Sequence, residues 1–134
     1  MFELPISWLG LLISAAAGFL SGWLWYHPAV FGASWAKSLG FNIGDMKCDA
    51  SLLLKAYINT LITAFFVALF IHWTNSHGLW QGAVVGFWIA VGFYGTSHIA
   101  GVLWEKRPME TFWITTGGSS LNLTVIGAVL GLFT

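Results

Sequence analysis

The sequence predicts an all-α membrane protein: four transmembrane helices in an up-down bundle, with a short interfacial amphipathic helix after the first span. Three observations predict it. Of 134 residues, 57% are hydrophobic and 7% charged, whereas a soluble domain carries about 25% charged residues to keep its surface wet. Four apolar runs reach the roughly 20 residues that a helix needs to cross the hydrocarbon core. The first of them ends in Trp23-Leu24-Trp25-Tyr26, where His27-Pro28 turns the chain.

The first span covers residues 6–26. Met1-Phe2-Glu3-Leu4-Pro5 has no basic segment of the kind that opens a signal peptide, and the apolar run continues well past Ala15-Ala16-Ala17, so the segment is expected to stay as a span. Trp8 at one end and Trp23 and Trp25 at the other mark its two interfaces. Inside it, Gly10, Ser14, Gly18 and Gly22 repeat every fourth residue. Such a ridge of small residues lets another helix backbone approach closely.

Pro28 lacks a backbone donor and disfavours the α conformation at His27, so the first helix stops there and a second starts with Pro28 in its first turn. Over residues 28–39, Phe31, Trp35 and Leu39 recur at i, i+4 and i+8 on one face, with Ser34, Lys37 and Ser38 off it. This segment is expected to lie in the headgroup plane. The chain then becomes polar through Gly40-Phe41-Asn42-Ile43-Gly44-Asp45 to Lys47-Cys48-Asp49.

Three more spans come after it, at about 52–73, 79–103 and 111–133, in one domain over residues 1–134. The joints Thr74 to Gly78 and Trp104 to Glu110 are short, which favours antiparallel neighbours. The basic residues Lys37, Lys47, Lys55, Lys106 and Arg107 all belong to the first and third loops or their edges. The positive-inside rule therefore puts those loops in the cytoplasm and both termini outside. Formal net charge is zero, and without a basic block there is no electrostatic grip for nucleic acid. Cys48, the single cysteine, excludes an internal disulfide.

The motifs Trp25-Tyr26-His27-Pro28, Phe31-Gly32 followed by Trp35, Gly40-Phe41 and Glu105-Lys106-Arg107-Pro108 resemble those of a bacterial family of small four-helix membrane proteins catalogued as a domain of unknown function. The resemblance implies four spans and residence in a membrane, the bacterial inner membrane in the expected setting. It implies no substrate. In the last helix Gly117-Gly118-Ser119-Ser120 stands where that family is expected to carry a bulky aromatic residue or His.

Polar residues inside a span must find a partner or line a cavity. Lys55, Asn59 and Thr63 share one helical face; so do Tyr94, His98, Gly101 and Glu105, and Thr111, Thr115, Ser119 and Asn122. Facing one another, these stripes predict a polar intramembrane cluster of His27, Asn59, Tyr94, His98, Thr115 and Ser119, a candidate binding site in the cytoplasmic leaflet. The same groups can equally serve as hydrogen bonds between helices. His98 is the sharpest of them. It suits a proton carrier, a metal or haem ligand, or a hydrogen-bonded core residue, and no second His lies three or four residues away to complete a helical metal pair. His72 and His77 are five apart near the outer surface, without a carboxylate or thiolate beside them.

No catalytic residue, cofactor or metal is predicted. Glu105 and Glu110 read as a solvated helix junction and an acidic first turn. Gly117-Gly118-Ser119-Ser120 has no following Lys and is no phosphate loop. Asn122-Leu123-Thr124 is a glycosylation sequon too deep to be modified. Most of the nine tryptophans read as interface anchors, with Trp88 near mid-membrane facing lipid or a partner.

Three function classes stay open. The first is a non-enzymatic membrane module that self-associates, or joins a larger complex, through the Gly10/Ser14/Gly18/Gly22 ridge, Gly82/Gly86 and Gly127/Gly131. The second is transport of a small solute or ion through an oligomeric bundle, with Gly117-Gly118 breaking the last helix. The third is an enzyme acting on a lipid-soluble substrate with His98, His27 and Glu105. The bilayer is the one partner common to all three.

Overall fold

The computed structural model describes residues 6–45 and 49–134. Met1 to Pro5, and Lys47 and Cys48 of the charge and thiol readings, lie outside the described residues. Among the described residues six α-helices succeed one another: α1 (Trp8–Trp25), α2 (Ala33–Ser38), α3 (Ala50–Trp73), α4 (Gly78–Ile89), α5 (Thr96–Trp104) and α6 (Met109–Leu132). Helices α4 and α5 form one span, Gly78–Trp104, so that among the described residues four helices are long and apolar enough to cross a membrane. No strand occurs among the described residues.

Local chemistry sets the helix ends. Ser7 accepts a hydrogen bond from the Gly10 amide at 3.0 Å, and Asp49 accepts from Leu52 at 2.8 Å, side-chain caps that satisfy orphan donors of a first turn. Helix α3 ends with Asn75 at φ 54°, the Ser76 amide donating to Ile71 O at 3.0 Å and the Asn75 amide to His72 O at 3.1 Å. This is the left-handed closure that consumes the last free carbonyls of a helix. Gly40, at φ 85°, closes α2 in the same way through Phe41 to Ala36 and Gly40 to Lys37.

The turn at His27-Pro28 is built as expected, with one added feature. Pro28 opens a π turn over Pro28–Gly32, and His27 caps it by accepting the Ala29 amide on Nδ1 at 3.1 Å. Gly32 is required there, because a Cβ would collide with the main-chain oxygen of Tyr26. The turn folds the aromatic residues on one another: Trp25 on Phe31 at 4.4 Å between centroids, Tyr26 on Trp35 at 5.2 Å, and Trp35 on Phe41 at 5.4 Å. Helix α2 then docks on the start of α6, where Ser38 Oγ and the buried Thr111 Oγ1 lie 2.6 Å apart.

Helix α6 is the centre of the bundle, packed against α1, α3 and α4 along its length. Its glycines make this possible. Gly82 of α4 faces Gly127, Gly86 faces the Leu123 carbonyl, and Gly131 faces the Gly78 carbonyl, each so close that an added Cβ would strike main-chain oxygen. On the other side of α6, Gly10 meets the Phe133 ring, Gly18 meets Ile126, and Gly22 lies 3.5 Å, as a built Cβ, from Asn122. The predicted ridge on α1 is therefore occupied within the chain, Ser14 being fully buried. Self-association expected through that ridge, or through Gly82/Gly86 and Gly127/Gly131, has to use another surface.

One reading is corrected by α6. Gly117-Gly118 does not break the last helix, which runs unbroken from Met109 to Leu132; the pair is a notch into which the Trp25 indole packs, 2.8 Å from a Cβ built on either glycine. The missing side chains serve close packing rather than a hinge. The third span, continuous from Gly78 to Trp104, contains a π turn over Ala90–Gly95 that its sequence did not suggest. A π turn widens the helix and rotates the residues beyond it relative to those before. Accordingly α4 buries Gly82 and Gly86 against α6, whereas α5 buries none of its residues.

The packing is uneven along the membrane normal. Leu11, Ala15, Ala64, Val67, Ile71 and Ile126 belong to one core cluster, in the half that holds the start of α1 and the ends of α3 and α6. The opposite half, with the His27-Pro28 turn, Lys55 and Arg107, contains the larger cavities. Outside, Trp8, Trp80, Trp88, Trp104 and Trp113 are each more than 60% exposed, a surface that suits lipid and not water.

Candidate functional site

The six residues of the predicted polar cluster do not share one pocket. Asn59, Tyr94 and Ser119 line a cleft of about 190 Å³ together with Thr63, Tyr26 and Asn122. His98 and Thr115 line a second cavity of about 400 Å³ between α5 and α6. His27 borders a third, of about 660 Å³, beneath the His27-Pro28 turn. The π turn lies between the Asn59 cleft, which Tyr94 borders, and His98 on α5; His27 is set apart by its place at the turn after α1.

His98 Nδ1 lies 3.1 Å from Thr116 Oγ1, and Tyr94 packs edge-on to its ring at 6.1 Å. Glu105 borders the same cavity, but its carboxylate is 2.8 Å from Arg107 Nε. The neighbouring hydroxyls are also spent: Thr115 donates to Thr111 O at 2.7 Å, and Thr111 shares a hydrogen bond with Ser38. A nucleophile needs a base within hydrogen-bond reach; Thr111 and Thr115 do not have His98 as partner, and among the described residues it is the Thr116 hydroxyl that pairs with it. His27, the third residue of the enzyme reading, sits in a different cavity with Nδ1 engaged as a helix cap.

The Asn59 cleft differs in kind. Most intramembrane hydroxyls nearby bond back to their own helix, as Thr60 does to Ala56 O at 2.9 Å, Thr63 to Asn59 O at 3.1 Å and Ser120 to Thr116 O at 2.8 Å. Asn122 Nδ2 donates across helices to Gly18 O at 2.6 Å. The side chains of Asn59, Tyr94 and Ser119 make no hydrogen bond among the described residues; Asn59 is exposed, Tyr94 and Ser119 are half-buried, and all three line the cleft. The cleft adjoins the larger cavity, Gly22, Tyr26, Thr60 and Asn122 bordering both.

Residues that sequence reasoning passed over prove central. Trp25, read as an interface anchor, donates from Nε1 to Ile114 O at 3.0 Å. Tyr57 donates to Leu12 O at 3.0 Å, and the Ser38 to Thr111 pair fixes α2. The signal for Trp25 was its distant complement, Gly117-Gly118, which local spacing cannot connect to it. His72 and His77 border a small cavity at the far end, where His77 Nε2 lies 3.0 Å from Asn75 Oδ1. Among the described residues no group of three or more His, Cys, Asp or Glu is placed to hold a metal.

Four long apolar helices, an apolar exterior and a core built on glycine contacts define a helical membrane protein. The chain belongs to the family described as "Protein of unknown function (DUF1761)", whose model matches residues 9–131. Comparisons with curated proteins and with solved structures find no match.

Proposed function

We propose that the protein is a non-enzymatic membrane module, an accessory or self-associating subunit whose intramembrane polar side chains serve first to hold its own helices together. One observation carries the reading. Among the described residues, five polar side-chain contacts cross between helices: Trp25 to Ile114, Asn122 to Gly18, Tyr57 to Leu12, Ser38 to Thr111 and His98 to Thr116. Four of these converge on α6. Groups so engaged fix the helices against one another, and hydrogen bonds of this kind favour association of helices in lipid.

The setting proposed is a bacterial inner membrane, with both termini outside and the loops after α1 and α5 in the cytoplasm. Support comes from Lys37, Lys55, Lys106 and Arg107, which gather at one end of the up-down bundle, as the positive-inside rule requires of a cytoplasmic face. The module reading is tested with a His98→Gln allele in place of the native gene. Gln keeps hydrogen-bonding capacity and cannot titrate near neutral pH. The allele is expected to match wild type in any phenotype that full deletion produces. Loss of that phenotype's rescue by a folded, membrane-inserted variant would assign His98 to chemistry instead.

A further inference from the structure

The Asn59 cleft lies at mid-membrane depth. Asn59 is nine residues after the start of α3, Ser119 ten after the start of α6, and Tyr94 ten before the end of α5. At about 1.5 Å per residue each is roughly 15 Å from the charged end of the bundle, half the thickness of a hydrocarbon core of about 30 Å. A polar group facing hydrocarbon without a partner is costly. Asn59, Tyr94 and Ser119, exposed or half-buried on one concave surface, are free to hydrogen-bond an occupant of the cleft.

The chemistry of the walls narrows the occupant. No Asp, Glu, Lys or Arg among the described residues borders the cleft or the adjoining cavity, so a charged head would be buried without a counter-charge. Asn59 offers amide donors and a carbonyl acceptor, and Tyr94 and Ser119 offer hydroxyls that do either. The adjoining cavity is walled by Phe19, Trp23, Trp35, Leu52 and Ala56, and its volume of about 660 Å³ is in the range of small-molecule sites, roughly 300–1,000 Å³. Exposed Asn59 leaves the cleft open on the α3 side, where a molecule dissolved in the bilayer can enter sideways.

We infer that the adjoining cavities bind a neutral, lipid-soluble molecule, its carbonyl or hydroxyl head against Asn59, Tyr94 and Ser119 and its apolar body against Phe19, Trp23 and Trp35. The site does not include His98 and does not depend on the module reading. It adds a small-molecule ligand to that reading without requiring a reaction.

Decyl-substituted benzoquinone is a suitable probe, being neutral, lipid-soluble, a carbonyl acceptor and a quencher of tryptophan fluorescence. It is titrated into the full chain in lipid nanodiscs. Wild type is expected to show saturable quenching. Asn59→Leu and Tyr94→Phe are each expected to raise the apparent Kd about threefold to tenfold, the loss of one hydrogen bond to the head. Tyr94→Phe removes a single oxygen and Asn59 has no side-chain partner to lose, so both variants keep the fold; a thermal melt of each checks this. Quenching that is linear in probe, or saturation unchanged in both variants, overturns the inference and leaves partition into lipid or a water-filled cleft.

Discussion

The indole Nε1 of Trp25 donates a 3.0 Å hydrogen bond to the main-chain oxygen of Ile114, 89 residues further along the chain. The contact ties the end of α1 to the first half of α6 and seats the ring over Gly117 and Gly118. The His27-Pro28 turn thereby gains a fixed position on the bundle.

Two substitutions separate the hydrogen bond from the fit. Trp25→Phe keeps an aromatic ring and is expected to cost about 0.5–1.5 kcal/mol. Gly118→Leu places a side chain where the indole lies and is expected to cost more, about 1–3 kcal/mol or above. Thermal melts in detergent or nanodiscs measure both. Equal stability of Gly118→Leu and wild type would mean that the ring is not seated there.

The α4–α6 contact gives a sharper steric prediction. Because a Cβ on Gly82 or Gly127 meets main-chain oxygen, and a backbone cannot rotate away as a side chain does, Gly82→Ala should be destabilising by about 1–3 kcal/mol. Gly92→Ala is the control, since a Cβ there meets nothing within 4 Å. A melting temperature lowered by the control as much as by Gly82→Ala would refute the assignment.

Legibility in the sequence depended on range. Span length, the Pro28 turn and the small-residue ridge are local patterns, and each is present, the ridge seated on α6 rather than free. The motif Tyr26-His27-Pro28 with Phe31-Gly32 and Trp35 now has a physical basis in the Gly32 contact with Tyr26 O and the stacked rings. The π turn at Ala90–Gly95 was not legible, because a widened turn keeps the same apolar composition as the α-helix around it. The separation of His98 from the Asn59 cleft was hidden with it. The role of Gly117-Gly118 was equally hidden, since a notch and a hinge look alike until the ring that fills the notch is known.

Orientation is open to labelling. In a Cys48→Ser background, Asn42→Cys should resist an impermeant thiol reagent in intact cells and react after lysis, while Thr134→Cys should react in intact cells. The reverse pattern would invert the topology and leave the bundle unchanged.

The most direct test of the account is a double-mutant cycle between His98 and Thr116, using His98→Leu, Thr116→Val and the pair, with unfolding free energy measured in lipid or detergent. If intramembrane polar groups tie the helices together, the coupling should be favourable and near the roughly 0.6 kcal/mol typical of such contacts, within an upper bound of about 1.7 kcal/mol. A coupling of zero, with His98→Leu as stable as wild type or more so, would contradict the claim and return His98 to the set of functional residues.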